Sequence, residues 1–352
     1  MLGASYDSRR QSRSGIPALD PRRWWALALL CGAFFMVVLD ASIVIVALPS
    51  IEADLGLSEQ GLQWVVSAYA VTFAGLLLLG GRAADLLGRR RVLMVGVVLF
   101  TAASPLCGLA WSPAALIAAR AIRGVGAAIM TRTALSLIST TFPEGPERNK
   151  ALGVWGMMGA VGSTVGWLIG GALVGGPGWE CVFFINIPLG LAALALSPML
   201  LRESRDMLTR RSYDPAGALT ITGALVMLVY AIVEARDVGW GDAQTILLVA
   251  GSAMLLAAFA LIESRHRAPL VPLRFFRSRT LVGANLVTLL FGIITFGVLV
   301  TLTLYAQQVL GYSAFEFGLG TGVFSVMAAV GSIKGQAMVI RLGFRAVRPE
   351  WR

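Results

Sequence analysis

Long apolar runs separated by short charged stretches recur along the whole chain. Ten of them fall at about 24–48, 62–81, 92–111, 113–138, 151–175, 181–201, 216–234, 243–263, 281–306 and 317–340. Each is about the length that an α-helix needs to cross a ~30 Å hydrocarbon core. Lipid offers the backbone no hydrogen-bonding partner, so runs of this kind must satisfy their polar groups internally, as helices. The alternating pattern of a β-barrel is absent. The pattern therefore predicts an all-α polytopic membrane protein with about ten spans.

Composition sharpens this. The chain is 57% hydrophobic and only 14% charged, with a mean hydropathy of +0.77, whereas a soluble chain carries roughly a quarter charged residues. The first run is too long for a cleaved signal peptide, and no small-residue cleavage site follows it. The stretch before it, rich in Ser, Gly and Arg, is expected to be disordered.

Charge placement gives the orientation. With the N-terminus in the cytoplasm and alternating crossings, 24 of the 29 Lys and Arg fall in cytoplasmic segments. One, Arg236, falls outside, and Arg120, Arg123, Arg132 and Lys334 fall within spans. The outer segments carry Glu52, Asp54, Glu59, Glu180, Asp237, Asp242 and Glu316 instead. This is the positive-inside asymmetry. Both termini are expected in the cytoplasm, in the cell's inner (plasma) membrane. The net charge of +10 then reports topology, and no nucleic-acid partner is expected from basic residues split among loops.

Enzyme chemistry finds little support. Cys31, Cys107 and Cys181 show no disulfide or metal spacing, and the single histidine, His266, lies in a loop. Zinc and Ser-His-Asp hydrolysis are disfavoured. The GVG at Gly124–Gly126 lies inside an apolar run with no Gly-Lys-Ser/Thr after it, so it is no nucleotide loop. No cofactor or metal is expected.

Charges inside the spans are the functional candidates. Asp40 lies about 24 Å up the first span and Arg120 about 10 Å into the fourth, which runs the other way. The two therefore sit at similar depth with opposite charge. A protonatable carboxylate beside an arginine can act as a proton switch, and a static helix–helix pair is the competing reading. Arg123 lies on a neighbouring face and needs an acid, water or cavity that the sequence does not identify. Arg132 and Lys334 are expected to snorkel to the interface. In the fifth span Gly162, Gly166 and Gly170 form one smooth stripe for close or sliding helix contact.

Several motifs together resemble one family, the major facilitator superfamily, in its fourteen-span drug:proton antiporter branch. LDASIVIVALPSI (Leu39–Ile51) is similar to the first-span motif, with Asp40 in the acidic place. GGRAADLLGRRR (Gly80–Arg91) is similar to the loop 2–3 motif through Gly81, Asp85, Gly88, Arg89 and Arg90. RAIRGVGAA from Arg120 resembles the fourth-span motif, with Arg123 where Gln is usual. Gly153, Gly162, Gly166, Gly170 and Gly171 keep the spacing of the antiporter motif, although Trp167 replaces its proline. FFINIPLG (Phe183–Gly190), YDPAG (Tyr213–Gly217) and LTLYAQQVLGYS (Leu302–Ser313) are also similar to the family's sequences.

The resemblance implies a polar tail over 1–23, a six-helix bundle over 24–201 and a loop with two extra spans over 202–263. The opening of a second bundle over 264–340 and a cytoplasmic tail over 341–352 would follow, truncated after the tenth span. It implies alternating access, a small lipophilic or cationic substrate, and the proton as coupling ion, with Asp40 and Arg120 carrying the coupling. The loop 2–3 turn would act as a gate, with Asp85 accepting hydrogen bonds from helix ends and arginines. The alternative is a truncated, non-transporting membrane remnant or interaction subunit. The resemblance specifies neither an oligomer nor a partner chain.

Overall fold

A computed structural model describes residues 21–204, 215–265, 277–313, 315–323, 326–327 and 330–331. Most of the N-terminal tail, Tyr213, His266, Lys334, the larger part of the 317–340 run and the C-terminal tail lie outside the described residues.

Among the described residues as far as Leu304, ten α-helices follow one another: α1 (Arg23–Leu55), α2 (Glu59–Leu87), α3 (Arg89–Gly108), α4 (Pro113–Thr141), α5 (Pro146–Gly175), α6 (Cys181–Phe184), α7 (Asn186–Leu200), α8 (Pro215–Val238), α9 (Ala243–Arg265) and α10 (Arg279–Leu304). The last runs on into a π-helical stretch, Tyr305–Val309, and residues 315–323 are again helical. No strand occurs among the described residues.

Among the described residues seven helices are long and apolar enough to cross a membrane, counting α6 with α7 as Cys181–Leu200, and α2, bent by 49° between Glu59–Leu77 and Leu79–Leu87, makes an eighth. The expected 216–234 span is a helix whose apolar part, Leu219–Ala235, is shorter than the others.

The helix ends follow local chemistry. Ser58 and Ser112 cap α2 and α4 by accepting the backbone N–H of Gly61 and Ala115. Proline opens α4 and α5, where its missing N–H costs nothing. Gly56, at φ 60°, closes α1. The first helix is longer than its expected 24–48 span. Pro49 is carried inside it and it ends only at Gly56, so Glu52 and Asp54 stand on its last turns rather than in a loop.

Packing is closest for α2 and α3 on α4, for α1 on α5 and for α8 on α9, with α8 leaning on α2. Glycines set these distances. A Cβ on Gly126 would meet Phe100 N of α3 at 2.7 Å, and one on Gly124 would strike the α2 backbone at Tyr69 and Phe73. The GVG run is thus a packing device. Outside the bundle, Val95, Leu191, Leu247, Met254, Phe291 and Ile294 are exposed, a surface suited to lipid.

Candidate functional site

The interior charges converge. Asp40 points from the middle of α1 toward α4, where Arg120 and Arg123 stand three residues apart. Three helical positions are about 60° around the axis, so two long guanidinium side chains from neighbouring faces can reach one carboxylate. Arg120 Nη1 donates to Asp40 Oδ2 at 2.7 Å. Arg123 Nη2 lies 2.9 Å from Asp40 Oδ1. All three side chains are at most 2% exposed. Arg120 Nε also donates to the Val65 carbonyl at 3.1 Å.

Aromatic faces complete the cage. The Arg120 guanidinium lies 4.3 Å from the Tyr69 ring centre, and that of Arg123 lies 4.4 Å from Phe100 and 5.4 Å from Phe183. Ring quadrupoles attract such cations most strongly when water is excluded. Tyr69 is itself fixed by donating to the Val37 carbonyl at 3.3 Å. The sequence identifies Asp40 and Arg120 as a matched pair. It does not show that Arg123 shares the same carboxylate, nor that Tyr69, Phe100 and Phe183 enclose the group.

The glycine stripe lies against the Asp40 helix. A methyl on Gly162 would meet Val38 Cβ at 3.1 Å, one on Gly166 the Leu39 carbonyl at 3.1 Å, and one on Gly170 Ile43 Cγ1 at 2.9 Å. Phe34 stacks on Trp155 at 4.1 Å in the same interface. Gly171 is buried, whereas nothing lies within 4 Å of a Cβ on Gly153. Trp167 is buried and meets the Phe317 ring edge-on at 5.8 Å. It thereby joins α5 to the helix over 315–323.

The Gly80–Arg91 stretch, expected as a turn, is helical except at Gly88, which takes φ 109° in a one-residue break between α2 and α3. Asp85 Oδ1 accepts from Arg89 Nη2 at 2.7 Å and from Ser136 Oγ of α4 at 3.4 Å. Arg89 Nε in turn donates to Ser136 Oγ at 2.7 Å. The backbone N–H of Arg90 donates to Glu203 Oε1 at 3.2 Å. Gly81 faces Arg132, whose Nε would be 3.5 Å from a Cβ there. The Arg132 side chain thus lies against the end of α2 at Gly81. Ser136 and Glu203 had no signal in the sequence, since they lie 47 and 113 positions from their partners.

Between α1, α2, α8 and α10 a cavity of about 630 Å³ is lined by Leu62, Val66, Val233 and Leu304 together with Glu52 and Glu59. Among the described residues no group of three or more His, Cys, Asp or Glu side chains could hold a metal ion.

The sequence profile of the Major Facilitator Superfamily matches residues 30–348. The chain is 43% identical over 313 residues to the puromycin resistance protein pur8 of Streptomyces alboniger, covering 89% of this chain and 62% of the relative. It is 41% identical to the cephamycin export protein CmcT of Amycolatopsis lactamdurans, covering 89% and 65%. The chain thus spans a little under two thirds of the length of these curated relatives. A solved peptide transporter POT in complex with sulfate superposes with a TM-score of 0.65 at 18% identity, covering 92% of this chain and 70% of that one. At that identity the likeness is one of fold.

Proposed function

The chain belongs to the major facilitator superfamily, and on that premise we propose that it serves secondary active export of small lipophilic or cationic molecules, driven by proton entry through alternating access. The observation that carries this reading is the buried Asp40–Arg120–Arg123 group. Charged groups are retained inside a membrane bundle at a cost, and a cost of that kind points to a use.

In this account Asp40 is the site of proton exchange. While it carries its charge, Asp40 ties α1 to two positions on α4. A proton placed on the carboxylate removes that charge and leaves two arginines facing each other. The balance then shifts toward an arrangement that separates them. The stripe of Gly162, Gly166 and Gly170 supports this, because a smooth face on α5 lets it shift along α1 without side chains of its own to climb over. The cavity beside Glu52 and Glu59, with apolar walls and two acids, suits a lipophilic cation.

We place the transport bundle at 24–201, two linking spans at 202–263 and the opening of a second bundle at 264–340, in the fourteen-span branch. The protein would lie in the inner membrane with both termini cytoplasmic. The Gly80–Arg91 turn would act as its gate on that side. The test is drug accumulation in cells expressing the chain. Wild type should lower accumulation, and Asp40→Asn at equal membrane abundance should abolish the effect. Wild type matching an empty vector would overturn the reading.

A further inference from the structure

We propose that Asn186 is a positioning residue for Arg123: its side-chain carbonyl receives the Arg123 guanidinium when a proton neutralises Asp40. This rests on Asp40 as the site of proton exchange, and adds where the released cation goes. Asn186 is 0% exposed, and neither its Oδ1 nor its Nδ2 makes a hydrogen bond. A buried amide without partners gives up its hydration with no return, and such a group calls for a use. Its place in the fold supplies one. Phe183, Asn186, Gly190 and Ala193 form one buried face, as positions three and four apart do on a helix. Phe183, a turn before Asn186, is the ring that lies 5.4 Å from the Arg123 guanidinium. Gly190, a turn after it, lies against α3, where a Cβ would strike the Thr101 hydroxyl. Thr101 Oγ1 is itself buried and makes no hydrogen bond.

The register of α3 agrees. A Cβ on Gly108 would meet the Glu180 carbonyl at 3.1 Å, so α3 runs antiparallel to α7 and its Phe100–Cys107 face lies level with Asn186. Phe100 and Cys107 both border Arg123. Asn186 is therefore about one helical turn, roughly 5.4 Å, beyond the ring that already holds the guanidinium. Rotation about the outer bonds of an arginine side chain covers such a step. Arg123 is the arginine free to make it, because Arg120 is anchored to the Val65 carbonyl and none of the Arg123 nitrogens makes a hydrogen bond. The faces of Phe100 and Phe183 would accompany the cation along the way. An amide suits the far position. With Nδ2 donating to the Thr101 hydroxyl, Oδ1 is left to accept from the guanidinium, and a neutral acceptor does not compete with Asp40 for the proton.

The test is an infrared titration of the purified full chain in neutral detergent. It follows the protonated-carboxyl band assigned to Asp40 by its loss in Asp40→Asn. The titratable groups facing this carboxylate are Arg120 and Arg123 of α4, Tyr69 of α2 and Cys107 of α3, and the buried faces of α5 and α7 add none. Asn186→Leu keeps the branched shape and removes the acceptor. It should lower the pH of half-protonation by about one unit, because the protonated state loses its place for Arg123. A merely drier site would raise that pH, since desolvation disfavours the charged carboxylate. Ser197→Ala, three turns along the same face, should leave it unchanged. Should Asn186→Leu fail to fold, Thr101→Val, which keeps its shape, should lower that pH by a smaller amount. Thermal unfolding gives a second reading: Asn186→Leu should lower the midpoint more in Asp40→Asn than in wild type. An unchanged or raised half-protonation pH in the folded variant, an equal shift in Ser197→Ala, or equal unfolding losses in the two backgrounds would overturn the proposal and leave proton exchange at Asp40 standing. A chain with no titrating Asp40 band would overturn both.

Discussion

Arg123 Nη2 lies 2.9 Å from Asp40 Oδ1, and yet none of the three Arg123 guanidinium nitrogens makes an aligned hydrogen bond. Arg120, on the same carboxylate, makes two bonds, to Asp40 and to Val65. The arginines are therefore inequivalent. Arg120 is anchored by hydrogen bonds, and Arg123 is held by charge and by the faces of Phe100 and Phe183.

Asp40→Asn should be costly, because it leaves two buried cations without a counter-charge. The expected loss is about 3–5 kcal/mol of stability. Arg123→Gln in the same chain should return part of it, since it removes the less well bonded cation. Thermal unfolding of the single and double variants in detergent checks this. A double variant that melts below Asp40→Asn would count against the shared carboxylate.

The glycines of α5 should divide by what faces them. Gly162→Leu must push Val38 and the Phe35 carbonyl of α1 away from α5 and should cost about 1–3 kcal/mol. Gly153→Ala has open space and should gain roughly 0.5–1 kcal/mol from helix propensity. Unfolding midpoints of the two variants should move in opposite directions.

Trp167 and Phe317 should be coupled. A double-mutant cycle of Trp167→Ala and Phe317→Ala should return about 0.5–1.5 kcal/mol for the edge-on ring contact. Simple additivity of the two losses would show that the rings do not meet.

Gly88→Ala forces a side chain into φ 109° and should cost about 1–3 kcal/mol. Asp85→Asn leaves that backbone intact but weakens the bonds to Arg89 and Ser136. Limited proteolysis at the turn should rise in both, and more in Gly88→Ala.

Glu316 gives a prediction in acid. Its carboxylate accepts the Ser313 N–H and hydroxyl, both at 2.8 Å, and these bonds lower its pKa below the ordinary carboxylate value. The support this gives the helix start is complete above the unfolded pKa, roughly 4.3. It fades as the pH falls through the lower folded value. A carboxyl titration by NMR should show the depressed midpoint in wild type and its return toward the ordinary value in Ser313→Ala.

Much of this architecture is legible in residue order. Run length places the helices, and equal depth pairs Asp40 with Arg120. The second partner of Asp40 is hidden, because Arg123 lies on another face of α4 and only the reach of its side chain brings it over. The extension of α1 past Pro49 is hidden as well. A proline near a helix end suggests a stop, but the chain turns only at Gly56, where φ is positive. Ser136 and Glu203 are polar residues of ordinary type, and only the packing of α4 and α7 beside α3 gives them partners.

The central claim is proton exchange at Asp40 coupled to cargo movement. Its most direct test is transport in proteoliposomes holding the purified full chain, an imposed pH gradient and ethidium as a lipophilic cation. The account predicts gradient-driven ethidium movement by wild type and none by Asp40→Asn reconstituted in equal amount. Gradient-driven movement that persists undiminished in Asp40→Asn would contradict it.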